Sequence, residues 1–126
     1  MSDRPVVYTP KRRRPPESRP IPEASLLHTL LHAAALLGYL AYHTYDSRHS
    51  HPGFPDLILV GHGMVCFWEL KSATGYTTAP QRHWQAALQA VDDPHLDMRV
   101  IRPADLDAAL RDLQGWKRET RHNGEL

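Results

Sequence analysis

The sequence predicts one α/β domain in which a mixed β-sheet is flanked by α-helices. Its 126 residues, 41% of them hydrophobic, suffice for a single core. Hydrophobic residues recur at three- and four-residue spacing in three segments, which predicts helices, and four shorter segments have the composition of strands. The predicted order is helix, three strands, helix, strand, helix, which is typical of a sheet covered by helices.

Residues 1–21 are predicted to form a disordered, basic arm rich in proline and arginine. Six of the fifteen basic residues fall within residues 1–20, against two acids, so this segment carries about +4 and the remainder about −3. The cluster of basic side chains is a candidate for contacts with nucleic-acid phosphates. It consists of Lys11, Arg12, Arg13 and Arg14. A solvated arm without a partner is the alternative interpretation.

The folded domain is predicted to span residues 22–113. Pro22 suits a helix start, and leucines and alanines then keep helical spacing until Gly38, which is expected to end the first helix. Large apolar and smaller or polar residues alternate over residues 39–45, which predicts the first strand. A polar loop follows at residues 46–53.

A β-hairpin is predicted next. Residues 56–60 and 64–70 form two apolar strands, and the tight turn Gly61-His62-Gly63 joins them. Cys66 lies in the second of these strands between apolar neighbours, which predicts a buried thiol. As the only cysteine, it excludes an internal disulfide and a cysteine-based zinc cluster.

The remaining chain is predicted to form a helix over residues 80–91, a strand over 98–101 and a helix over 103–113. The first of these helices is expected to place three apolar side chains on one face: Trp84, Leu88 and Val91. Residues 114–126 are interpreted as a loosely attached C-terminal tail, although Trp116 has the character of a packing residue.

Two acids and a lysine come together at one end of the predicted hairpin. Asp56 begins one strand, while Glu69 and Lys71 end the other, so all three lie away from the turn. Residues two apart in a strand project from the same face, so Glu69 and Lys71 share a face. Two neighbouring carboxylates repel each other unless a cation joins them, and Mg²⁺ prefers such oxygen ligands. A surface ion pair between Glu69 and Lys71 is the alternative interpretation.

This combination suits the hydrolysis of a phosphodiester bond. A metal held by the two acids would polarise a phosphoryl oxygen and lower the pKa of a bound water. Lys71 would orient that water or neutralise the charge that develops on the phosphorus centre.

The sequence resembles the PD-(D/E)XK nucleases, and within them the VRR-NUC branch of phage and repair nucleases. The resemblance covers roughly residues 23–103 and includes one departure, Phe54, where relatives often have tryptophan. It is carried by Gly53-Phe54-Pro55-Asp56, Glu69-Leu70-Lys71, Gly75, Pro80-Gln81 and Trp84. The short pieces are weak signals individually, and their common spacing is what makes the pattern specific.

The resemblance implies a restriction-endonuclease-like core and an endonuclease that depends on Mg²⁺ or Mn²⁺ and hydrolyses DNA. It implies that Asp56, Glu69 and the main-chain carbonyl of Leu70 hold the metal, with Lys71 as the catalytic lysine.

Two further site residues are implied by the same resemblance. Glu23 matches an acid on the first helix that binds the metal directly or through water, and a helix-terminal acid that favours the macrodipole is the alternative. Gln81 matches a catalytic glutamine near the metal or the scissile phosphate, and a solvent-facing residue that opens the helix is the alternative.

Other residues near the motif are candidates for nucleic-acid binding, with solvated loop residues as the alternative. These candidates are Arg48, His49, His51 and Tyr76.

The tryptophans Trp68 and Trp84 are expected to pack in the core rather than to stack on bases.

The expected partner is DNA, branched or duplex. Small stand-alone relatives look like junction-cutting dimers, which implies a homodimer. A catalytically silent nucleic-acid-binding module and a DNA-packaging or scaffold protein are the rival functions, and the residue pattern leaves both RNA cleavage and nicking open. The sequence has no apolar run that would span a bilayer and no secretory signal pattern, so a cytoplasmic location is expected, in the host cytoplasm for a phage protein.

Overall fold

Helix α1 (Glu23–Leu37) lies near the start of the part of the chain that the computed structural model describes, residues 22–44 and 51–123. Gly38 ends this helix with a φ of 85°, and its N–H donates to carbonyl oxygens of the last turn. The predicted first helix is therefore confirmed. Its fully buried side chains have the spacing of one helical face: Leu26, Leu30 and Ala34.

Four strands form one mixed sheet in the order β1-β2-β3-β4. The first three are antiparallel neighbours, whereas β4 runs parallel to β3. A parallel neighbour needs a crossover connection, and helix α2 (Ala79–Gln89) lies in it. The prediction of a mixed sheet with flanking helices is confirmed. The strands are β1 (Leu40–His43), β2 (Leu57–Gly61), β3 (Met64–Leu70) and β4 (Leu96–Ile101).

The β2–β3 hairpin has the two-residue turn His62-Gly63, in which both φ angles are positive, 51° and 76°. These angles match the twist of the flanking strands, as in a type I′ turn. The turn sets the register, which places Leu57 opposite Trp68 at the far end of the hairpin. The turn thus decides which side chains meet at that end.

The two faces of the sheet are covered by different helices. Cys66 and Trp68 on one face of β3 are fully buried in the core with side chains of α1 and of the last helix, α3 (Leu106–Asn123). On the other face Phe67 meets Phe54 edge-to-face, with ring centroids 6.3 Å apart. Burial raises the pKa of the Cys66 thiol to about 12, as expected for an unreactive buried cysteine.

Helix α3 is longer than the sequence predicts. The expected helix end at Leu113 and the loose tail after it are wrong for the described residues, because α3 continues to Asn123. Trp116 packs against the core and lies 5.8 Å from the Arg99 guanidinium carbon. This packing offsets the low helix propensity of Gly115. In addition, the Tyr39 hydroxyl donates to the Leu113 carbonyl oxygen at 2.7 Å and ties the start of the sheet to α3.

Two other element boundaries differ from the sequence prediction. β1 occupies only the centre of the predicted segment 39–45, and α2 ends at Gln89. Val91 therefore lies beyond the helix and is 49% exposed, so its predicted place on one face of α2 with Trp84 and Leu88 is wrong. Its N–H bonds the Leu88 carbonyl oxygen at 3.1 Å, in the turn that leads towards β4.

A polar network that the sequence did not indicate joins β4 to α3. Arg99 bonds Asp97 at 2.7 Å and Asp112 at 2.8 Å, and the Trp68 indole N–H donates to Asp97 at 2.7 Å. Each partly buried charge thus has a partner, which offsets its desolvation. Among the described helices, none has both the length and the apolar character needed to cross a membrane.

Candidate active site

The hairpin brings two acids together at the end of the sheet opposite its turn. Asp56 immediately precedes β2, and Glu69 lies one residue before the end of β3. The Leu70 N–H donates to Asp56 Oδ2 at 2.9 Å, which fixes the Asp56 carboxylate against the last residues of β3. The structure therefore brings the predicted Asp56 and Glu69 side chains together.

Glu69 is the only charged side chain among the buried residues of the described chain, at 2% exposure. Its Oε1 accepts a bond from Gln81 Nε2 at 3.0 Å, whereas no described residue donates a hydrogen bond to its buried Oε2. Burial, followed by a side-chain hydrogen bond shared with Asp56 and by the charge of that carboxylate, raises the pKa of Glu69 to about 9, and Lys71 opposes this shift. The alternative of a surface ion pair is excluded because Glu69 is not on the surface.

The unpaired Oε2 and the raised pKa of Glu69 have the same cause, which is the burial of this acid beside a second acid. A buried, ionised carboxylate oxygen that receives no hydrogen bond is costly, so without a cation the protonated form of Glu69, hydrogen-bonded to Asp56, is favoured at neutral pH. A hard cation placed between Glu69 and Asp56 would supply the missing partner and favour the ionised form. The donors present thus fit such an ion.

The backbone at Leu70 offers a third oxygen. A residue in an antiparallel strand directs its N–H and C=O to the same side, so the Leu70 carbonyl projects towards Asp56, as its N–H does. Extension of the hairpin register from Leu57 and Trp68 places Pro55 opposite Leu70. Proline has no N–H, so Pro55 cannot bond this carbonyl oxygen. The proline before Asp56 therefore keeps the Leu70 carbonyl available to a ligand.

Glu23 reaches the same region from the first turn of α1. It lines a cavity of about 230 Å³ together with Thr44, Asp56 and Leu70. Burial, followed by the Asp56 charge, raises the pKa of Glu23, while Lys71 lowers it. The predicted Glu23 is thus near Asp56, although it also occupies the helix-terminal position of the alternative interpretation.

A metal site built from side chains needs three or more ligand atoms directed at one point, and nearness of Glu23 to Asp56 does not by itself meet this requirement. Within residues 22–44 and 51–123, no group of three or more His, Cys, Asp or Glu side chains is arranged to hold a metal ion. The donor set that fits a cation is accordingly two carboxylates, Asp56 and Glu69, with the main-chain oxygen of Leu70.

Gln81 connects α2 to the acids through a helix cap. Its backbone N–H donates to Thr78 Oγ1 at 3.3 Å, and its side-chain Oε1 accepts from the Thr78 N–H at 2.8 Å. Because the amide oxygen is held by a backbone donor, the amide nitrogen is directed at Glu69. The alternative of a solvent-facing Gln81 is excluded. The Thr-x-x-Gln pattern is a recognised capping signal, and the sequence prediction missed Thr78.

The loop between Lys71 and α2 is held in place by a residue that the sequence did not single out. Arg102 donates to the carbonyl oxygens of Ser72 at 2.7 Å and Gly75 at 2.8 Å. Lys71 begins this loop and is half-buried, and its charge acts on both Glu69 and Glu23. The ammonium group therefore lies within electrostatic range of the acids, as predicted.

Of the residues predicted to contact nucleic acid, the structure describes two, His51 and Tyr76. His51 and Tyr76 are exposed, Tyr76 at 90%, and no described contact joins either to the acids. The other predicted contact residues lie outside the described part of the chain: Lys11, Arg12, Arg13, Arg14, Arg48 and His49.

Chemically, the site combines oxygen donors that would suit a hard cation with an ammonium group that could neutralise nearby negative charge. A comparison of the chain with models of protein families, with curated proteins and with solved structures finds no match.

Proposed function

We propose that this protein is an endonuclease of the PD-(D/E)XK class that uses Mg²⁺ or Mn²⁺ to hydrolyse phosphodiester bonds in DNA. The observation that carries the proposal is the buried Glu69, which lies beside Asp56 with one unpaired oxygen. Without a cation, a shared proton is what relieves the burial of two neighbouring carboxylates, whereas a hard cation between them would compensate both charges.

The fold supports the same class. A helix, three antiparallel strands, a crossover helix and a parallel fourth strand have the order that a restriction-endonuclease-like core would have. This order puts the ends of β2 and β3 beside the first turns of α1 and α2, where Glu23 and Gln81 lie.

In this proposal each residue has a separate task. Asp56, Glu69 and the Leu70 carbonyl hold the metal, and Glu23 assists directly or through water. When bound, the metal supplies Lewis acidity towards a phosphoryl oxygen and lowers the pKa of water. Lys71 holds the nucleophilic water or balances the charge that develops on the phosphate.

Gln81 acts through Glu69 rather than on the substrate. Its bond to Oε1 holds the carboxylate in one orientation and leaves Oε2, which would be the oxygen offered to a metal, without a donor. It is a positioning residue, and its own orientation depends on the Thr78 cap.

The test is cleavage of labelled DNA and RNA with Mg²⁺ and with EDTA. We expect DNA to be cleaved in Mg²⁺ and not in EDTA. The cleavage rate should fall by at least about 100-fold in Glu69→Gln and in Lys71→Met. DNA affinity should persist, since phosphate contacts position the strand independently of the chemistry. Glu119→Gln and Lys117→Met make the same chemical changes on α3 and should retain activity.

Cleavage in EDTA, or full activity in either site variant, would contradict the mechanism. DNA binding by the wild-type protein without cleavage would favour a catalytically silent binding module.

A further inference from the structure

A cavity lies against the first turns of α2, the helix that carries Gln81. Its volume is about 650 Å³, which falls within the range of small-molecule sites. It is lined by Pro52, Ala79, Pro80, His83, Trp84 and Ala87.

The lining has flat surfaces and few polar groups. One wall is a single face of α2, because Pro80, His83, Trp84 and Ala87 are three or four residues apart. Trp84 is held edge-to-face against Phe54 at 5.1 Å between ring centroids, so its orientation is fixed. None of the six described lining side chains is acidic, so nothing in this wall repels a polyanion.

The cavity is joined rigidly to the acids. Gln81, which bonds Glu69, directly follows the lining residue Pro80 in the chain, about 3.8 Å away between Cα atoms. The loop that carries Pro52 is locked onto the same helix turn, because a Cβ at Gly53 would lie 2.3 Å from the Pro80 carbonyl carbon. Gly53 has a φ of 82°, which also favours glycine there. Both walls therefore contact the helix turn that carries Gln81.

We infer that this cavity binds an unpaired nucleobase of the nucleotide next to the scissile phosphate, an inference that rests on the proposed nuclease function. The base stacks on Trp84 between the proline and alanine walls, and His83 offers a ring nitrogen to the base edge. Stacking tolerates any base, so the cavity selects unpaired structure rather than sequence. A paired base in a continuous duplex cannot enter it, which makes branched or frayed DNA the preferred substrate class.

Truncation of Trp84 would also remove its contact with Phe54 and could disturb the fold. The test therefore fills the cavity with a larger side chain. Ala87→Leu places a larger side chain in the cavity at an exposed helix position. Ala86→Leu is the matched control, since Ala86 is exposed on the same helix and is not part of the lining. Leucine favours helix at both positions, so both variants should fold.

Binding is measured by fluorescence anisotropy with the full chain in EDTA, which stops cleavage. The probes are two flapped duplexes that differ at the first unpaired nucleotide, which carries a base in one and is abasic in the other. Wild type and Ala86→Leu should bind the base-containing DNA about tenfold more tightly than the abasic DNA. Ala87→Leu should bind both equally.

Equal affinity of the wild-type protein for the two probes, or a preference that survives in Ala87→Leu, would overturn the inference. Metal-dependent cleavage by the same protein preparation would then still support the proposed nuclease. A protein that neither binds the probes nor cleaves DNA would overturn both.

Discussion

Removal of the Glu69 charge should stabilise the metal-free protein at neutral pH. Burial, followed by the Asp56 carboxylate, raises the Glu69 pKa from 4.5 to about 9 in the folded chain. The unfolded chain binds fewer protons in this range, so the folded state loses stability as the pH rises from 4.5 towards 9. At pH 7, about 2.5 pH units above the unfolded pKa, the loss is about 3 kcal/mol at about 1.4 kcal/mol per unit.

Urea unfolding of wild type and Glu69→Gln in EDTA measures this effect. Glutamine at position 69 keeps an oxygen that can accept the Gln81 bond and does not titrate. The free energy of unfolding of Glu69→Gln should therefore not fall with pH as that of the wild type does. Between pH 5 and pH 7 the wild type should lose about 2 kcal/mol more than Glu69→Gln. Glu119→Gln, on α3, is the control and should follow the wild type. Added Mg²⁺ at pH 7 should stabilise the wild type but not Glu69→Gln.

Parallel pH profiles of wild type and Glu69→Gln would refute this reasoning, because they would mean that Glu69 titrates as an exposed acid does. If Mg²⁺ stabilised both proteins equally, its binding would not depend on Glu69.

Three further predictions concern the metal, the arm and assembly. Glu23→Gln should raise the Mg²⁺ concentration that gives half-maximal cleavage, because a charge near Asp56 is lost. Alanine at the four basic positions 11–14 should weaken DNA binding and flatten its log–log salt dependence by up to about 4, with cleavage at saturating DNA unchanged. Light scattering should show a homodimer, and four-way junctions should be cut faster than linear duplex, because a paired cut needs two carboxylate sites.

Each of these predictions has a contrary result. An unchanged Mg²⁺ titration would limit Glu23 to its role at the start of α1. An unchanged salt slope would mean that the arm does not contact phosphates. A monomer that cuts junctions and linear duplex equally would reject the assembly prediction and leave the nuclease proposal in place.

The sequence predicted those features that depend on neighbouring residues. Helix α1 and the β2–β3 hairpin were recognisable because helical spacing and the glycines around His62 are local signals, although the structure places Gly61 in β2 and leaves a two-residue turn. The proximity of Asp56 and Glu69 followed from the hairpin, since a two-residue turn fixes the register of both strands.

Features that depend on distant partners were not predictable in this way. The end of α3 was misplaced because Trp116 is retained in the helix by packing against the core and near Arg99. The Asp97–Arg99–Asp112 network joins a strand to a helix, and no local pattern marks such a pairing. Likewise, Arg102 is distant in sequence from the loop carbonyls of Ser72 and Gly75 that it bonds.

For the candidate site, the sequence by itself determined which residue types share one end of the hairpin: two acids and a lysine. Only the tertiary structure decided their electrostatic state. Glu69 became a buried acid with a pKa of about 9 because Gln81 of α2 and neighbouring elements exclude water from it. Desolvation depends on what surrounds a group in three dimensions, and the spacing of residues along a strand does not contain that information.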